Sequence, residues 1–112
     1  MNRHHATVEE ALALPIPAGA RSARAMAHGS MSVRIYAPRG KDEQTPHRQD
    51  EVYVVARGSG RFVCAGERTE FGPGDVLFAA AGQEHRFEEF SDDFVTWVIF
   101  YGPEGGEGPA TP

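Results

Sequence analysis

The stretch PHRQDEVYVVARG, residues 46–58, decides how the rest of the chain is read. It opens with two groups able to bind a cation, His47 and Glu51, and runs into VYVV, a β-strand by residue type. Side chains alternate faces along an extended strand, so Thr45, His47, Gln49, Glu51, Tyr53 and Val55 would share one side. Four residues of extended chain separate His47 from Glu51 by roughly 13 Å, too far for one ion. A bend or bulge near residues 48–50 is needed to bring imidazole and carboxylate together.

Composition sets the frame for that strand. The 112 residues, read as one domain spanning 1–112, suffice for a core without staples. Thirteen Gly, eight Pro and seven Phe with few helical patterns favour short strands joined by tight turns. The net charge of −5, without a Lys/Arg cluster, argues against nucleic acid or an anionic membrane as partner. The single cysteine, Cys64, excludes an internal disulfide and fits a cytoplasmic setting. No apolar run approaches the ~18 residues of a membrane span, and the N-terminus lacks a signal-peptide core.

Residues 1–19 read as an arm and a short helix. Thr7 and Glu10 form a capping box, and Pro15 and Pro17 stop the helix. It is expected to lie as a lid, with Val8, Leu12 and Ile16 covering an edge or end of a barrel. Residues 20–101 carry about eight strands with turn chemistry at each junction, which predicts a closed barrel or double-sheet jelly roll. Val33 and Ile35 share one face of the strand at 31–37, and Arg34 and Tyr36 the other. His85, Phe87 and Glu89 share a face of the strand at 85–90. Residues 102–112, rich in Gly and Pro, read as a frayed, flexible tail.

The order of these residues resembles the cupin superfamily, specifically its small single-barrel bacterial members. That family carries the motifs G-x5-H-x-H-x3/4-E-x6-G and G-x5-P-x-G-x2-H-x3-N. Here His47, Glu51 and Gly58 match the first; Gly74, Gly82 and His85 match the second, with Ala80 for proline and Glu89 for asparagine. Fifteen residues separate Gly58 from Gly74, similar to the short gap of the compact members. The resemblance spans roughly residues 31–101 and implies an all-β fold, a double-stranded β-helix or jelly-roll barrel with a short N-terminal helix. It also implies a metal site. Thr45 stands where the first motif histidine belongs, which reduces the ligand set to His47, Glu51 and His85. Two imidazoles and a carboxylate suit a divalent ion: Fe, Zn, Mn, Ni or Cu.

Each candidate has a plainer reading. His47 and His85 can cap a barrel mouth without metal, and Glu51 can be a salt-bridge partner of Arg48, Arg57 or Arg86. Gln49, nearby as a neutral oxygen donor, is weighed as a replacement ligand or water binder against loop surface. Tyr53, inward beside Glu51, orients substrate or is a core aromatic. Glu89 is a general base or purely structural. Arg34 and Tyr36 line a pocket for an anionic substrate or form a solvated face. Cys64 reads as a buried apolar residue. The function expected is a metal-dependent small-molecule enzyme of dioxygenase, isomerase or cyclase type, with Gln49, Tyr53 and Glu89 as catalytic candidates. The alternative is a ligand-binding or sensing barrel without turnover. Strands apolar on both faces, such as VYVVA and FVTWVIFY, add the expectation of a homodimer.

Overall fold

In the computed structural model, which describes residues 1–108, one short helix precedes eight strands. They are α1 (Val8–Leu12), β1 (Ala23–His28), β2 (Met31–Tyr36), β3 (Asp50–Arg57), β4 (Gly60–Cys64), β5 (Glu67–Phe71), β6 (Val76–Ala79), β7 (His85–Glu88) and β8 (Val95–Tyr101). Five strands form one sheet in the order β1-β2-β8-β3-β6, and β5-β4-β7 form the other. Every pairing is antiparallel. The two sheets make a jelly-roll barrel. No helix of the described residues is long and apolar enough to cross a membrane.

Alternation explains what fills the barrel. Along β3 Glu51, Tyr53 and Val55 are buried in alternation, with Asp50 buried at the strand's start, while Val52 and Val54 turn outward and are only partly covered. Tyr53, Phe62, Phe71, Phe87 and Phe94 pack as a connected aromatic core with ring centroids 4.8–5.6 Å apart. Burying a ring the size of Phe94, which is 0 % exposed, contributes roughly 2–3 kcal/mol. Tight junctions keep these rings close. Gly58 has φ +85°, and a Cβ there would meet the Phe94 Cα at 2.7 Å. Both facts require glycine.

The outer face of the larger sheet is also apolar. Register places Val33, Ile99, Val52 and Phe78 in one row, and Ile35, Trp97, Val54 and Val76 in the next. α1 covers one end of this face. Its capping box forms as expected, and Ala11 packs with Ala23, Ile35 and Val95. The lid is built from Ala11, Val8 and Leu14, whereas Leu12 and Ile16 point to solvent at 38 % and 56 % exposure. At the other end Val76 and Phe78 are 66 % and 50 % exposed.

Two expectations of extended chain are corrected. β3 starts at Asp50, and the backbone bends at Arg48 and Gln49, so residues 45–49 do not continue its alternation. β7 ends at Glu88, because Glu89 adopts φ +50°. Just after β8 the chain bonds back to the bend and to β3. The Gly105 amide donates to the Arg48 carbonyl at 2.7 Å and the Glu107 amide to Asp50 Oδ2 at 2.8 Å. The last four positions of the expected tail, 109–112, lie outside the described residues.

Candidate metal centre

The bend before β3 brings His47 back over the barrel mouth. Its ring packs edge-on against Phe100 of β8, centroids 4.8 Å apart, and its carbonyl accepts the Gly82 amide at 2.8 Å. Glu51 enters from β3 and His85 from β7. One donor atom from each of His47, Glu51 and His85 lies within 4.8 Å of the others. Donors around one ion at ~2.1 Å are about 3–4 Å apart, so a shift of about 1 Å would close the set on a single ion.

His85 carries the clearest sign of what the set is for. Its Nδ1 lies 2.8 Å from the Gln83 carbonyl, which can only accept, so Nδ1 bears the hydrogen and the lone pair of the neutral ring sits on Nε2. Nε2 is buried and has no aligned hydrogen-bond partner. It lies 2.5 Å from Glu51 Oε1, an ion pair whenever the ring is protonated and a shared edge for a cation when it is not. Metal-bound histidines are oriented by this kind of outer hydrogen bond, with the bare nitrogen facing the ion.

Glu51 is 1 % exposed, and a carboxylate so buried is costly without a cation. None of the three arginines weighed as its partner reaches it. Arg48 pairs with Glu104, Arg57 with Glu9 and Arg86 with Glu88. What holds Glu51 is the Tyr53 hydroxyl, 3.0 Å from Oε2, and on the other side His85, whose Nε2 lies 2.5 Å from Oε1 and can answer its charge when protonated. Tyr53 also lies 3.0 Å from Oε1 of Gln44, whose Nε2 donates to Asp42 Oδ2 at 2.7 Å. Asp42 is buried and accepts from the Phe87 amide at 2.7 Å and from the Tyr36 hydroxyl. A chain of polar contacts thus runs from Asp42 through Gln44 and Tyr53 to Glu51.

Electrostatics separate the two imidazoles. Burial lowers the His47 pKa, with the charges of His85 and Arg34 acting the same way against Glu51. At His85 burial also disfavours the cation, but the Glu51 carboxylate and Gln83 carbonyl outweigh it and raise the pKa. Burial, then the charge of Glu51, pushes the Tyr53 phenol well above its ordinary value. It stays protonated as a donor.

A cavity of about 690 Å³ opens over His47 and Glu51, lined also by Arg34, Tyr36, Gln44 and Gln49. Gln49 lines this cavity and is anchored through its amide nitrogen. Its amide nitrogen donates to the carbonyls of Ser30 at 3.0 Å and Gly102 at 2.9 Å, tying the bend to the sheet. Glu89 is exposed and paired with Arg61 at 3.5 Å, which removes it from the face of His85. Tyr53 is 0 % exposed and acts on Glu51 from behind, outside the cavity lining. Thr45 is exposed at the cavity wall. Asp42 and Gln44 were missed because a polar loop, 41–46, has no period to betray an inward residue. Cys64 is partly buried beside the core, its thiol pKa raised by burial.

Comparison with known proteins places this geometry in context. The sequence model of the cupin domain matches residues 32–101. An uncharacterised protein of Streptomyces coelicolor is 39 % identical over 77 residues, 67 % of this chain and 73 % of that one. A solved structure of unknown function from Rhizobium leguminosarum superposes with a TM-score of 0.71 at 20 % identity, covering 90 % of this chain and 98 % of its own. A Cupin 2 conserved barrel domain protein from Salinispora arenicola gives a TM-score of 0.60 at 21 % identity, covering 81 % and 82 %. At these identities the structural likenesses speak for the fold.

Proposed function

The chain belongs to the cupin-domain family, and from that membership we propose that it holds a divalent metal ion on His47, Glu51 and His85 and acts on a small molecule in the adjoining cavity. The observation that carries the reading is the convergence of donor atoms of His47, Glu51 and His85 within 4.8 Å of one another, at a buried carboxylate that no arginine reaches. Three protein donors suit a site that keeps open coordination positions. Bound there, the ion would supply Lewis-acid polarisation or a place for a second reactant, the chemistry of dioxygenase-, isomerase- or cyclase-type reactions. Fe, Zn, Mn, Ni and Cu all fit the donor types.

This chain's own residues have defined tasks in that scheme. Gln83 sets the tautomer of His85 through its carbonyl, and Tyr53 fixes the rotation of the Glu51 carboxylate. Phe100 backs the His47 ring and helps set its orientation. Elemental analysis of protein purified without a chelating tag tests the reading. Near-stoichiometric metal that disappears in His85→Ala and His47→Ala is expected; a metal-free wild type that takes up none on incubation overturns it.

A ligand-binding barrel without turnover is the second reading, and a specific observation favours it. Gln49, Tyr53 and Glu89, the candidates for proton transfer, are each held by other contacts. A ligand extracted unchanged after prolonged incubation with metal-loaded protein would select this reading. We further propose a homodimer joined through the outer rows that end in Val76 and Phe78, supported by their exposure. The single cysteine supports a cytoplasmic setting.

A further inference from the structure

Three arginines line the cavity, and two of them are answered by acids. Arg21 lies 3.6 Å from Glu43, and Arg48 lies 4.0 Å from Glu104. Arg34, in the middle of β2, has no carboxylate partner among the described residues. Register puts it on the inward face in one row with Val98 and Tyr53, two strands and about 10 Å from the strand that carries Glu51. Its Nε donates to Ser22 Oγ at 2.7 Å and its Nη2 to the Ser22 carbonyl at 3.1 Å. Those two bonds use one edge of the guanidinium and fix its plane. The other edge, Nη1 with the second hydrogen of Nη2, has no acceptor among the described residues.

A partly buried cation held in one orientation with an open pair of donors is an anion site awaiting its anion. Burial already lowers its pKa, with Arg24 adding to the effect, and its charge is felt at His47. The open edge presents two parallel N–H groups, the geometry that a carboxylate accepts in bidentate fashion. A single fixed fork of two parallel donors matches a carboxylate better than a phosphate, which takes more donors.

We propose that the cavity's ligand is a small carboxylate, gripped by the open edge of Arg34 with its remainder directed towards His47, Glu51 and His85. This names the substrate class of the function proposed above and rests on that reading for what happens beyond the carboxylate; the grip of Arg34 itself needs no metal. Tyr36 and Gln44, also in the lining, lie on the loop side and bound how large the remainder can be.

Calorimetric titration of the full chain, its metal content measured beforehand, tests the assignment. The probes are acetate, pyruvate and malonate, their neutral amides, and inorganic phosphate. At least one carboxylate should bind, its amide at least tenfold more weakly. Arg34→Met should weaken carboxylate binding tenfold or more at unchanged metal content and Tm. Arg34→Lys should recover part of it, since a point charge replaces the fork. Should Arg34→Met fail to fold, Arg34→Lys and the acid–amide comparison carry the test. Binding of no carboxylate, equal binding of acid and amide, retention in Arg34→Met, or preference for phosphate overturns the proposal. The two readings fail separately. Carboxylate bound through Arg34 by a protein without metal sinks only the metal reading, and metal retained with carboxylate binding indifferent to Arg34 sinks only this one.

Discussion

The Tyr53 hydroxyl lies 3.0 Å from Oε2 of Glu51, two residues back on the same strand and on the same face. The hydroxyl has one proton for two acceptors, Glu51 and Gln44, and the charged one forms the stronger bond. Tyr53→Phe keeps the ring in the core and removes that donor. It is expected to cost about 1–3 kcal/mol of stability. Metal affinity should fall roughly 10–100-fold, as for the loss of other outer-shell partners. Chemical denaturation and competitive metal titration measure the two effects.

Glu51→Gln separates the two tasks of a buried carboxylate. Without metal, the cation-forming group beside Glu51 is His85, 2.5 Å away, so at a pH high enough to leave that ring neutral the amide should leave stability unchanged or raise it by about 1 kcal/mol. With metal, the same substitution removes a ligand and the advantage should reverse. Thermal unfolding with chelator and with added metal reads both arms. A loss of several degrees in chelator would contradict the account.

Asp42→Ala should be among the most damaging substitutions in the chain. It leaves the buried Phe87 amide and the Tyr36 hydroxyl without their acceptor and releases Gln44. A cost of about 3 kcal/mol or more is expected, with a fall in Tm beyond roughly 10 °C. Calorimetry of the purified variant checks it.

Asp50 makes the fold sensitive to acid. Backbone amides of Glu107 and Ala81 bind its carboxylate and hold its pKa below the ordinary value. A depressed folded-state pKa adds stability that is complete above the unfolded value, near 4, and is lost as pH falls through the folded value. The wild type should therefore lose stability below about pH 4 more steeply than Asp50→Asn. Unfolding midpoints measured from pH 6 down to pH 3 compare the slopes. Parallel curves would remove Asp50 from the explanation.

Phe78→Glu tests the proposed homodimer. The side chain is 50 % exposed at the end of an apolar row, so a charge there should leave the fold intact. It should shift the protein to monomer in sedimentation velocity. Wild type that sediments as a monomer at every concentration would refute the assembly.

Strands were legible in the sequence because their signals are local. Period-two alternation places β2 and β7, expected at 31–37 and 85–90, within a residue or two, and Thr7 and Glu10 mark the helix start. The metal-ligand candidates were legible through motif spacing, yet their convergence depends on a bend that alternation alone could not describe. Gln49 shows the limit. Counted along a straight strand it faces the site, but the bend turns its amide to two carbonyls. Glu89 is a similar case at the other strand, where its positive φ ends the strand at Glu88, two residues short of the expected 90. Asp42 and Gln44 are inward only because a loop without periodicity folds onto β7, a tertiary fact.

His47 differs from its two companions in what carries it. Glu51 and His85 are set in strands, while His47 hangs on a bend pinned by the Gly82 amide and, one residue on, by Gly105. The centre thus resembles a clamp with two fixed jaws and one on a hinge. Uptake and escape of an ion would keep time with that hinge, so loosening the 103–106 turn should alter exchange kinetics before it alters equilibrium occupancy.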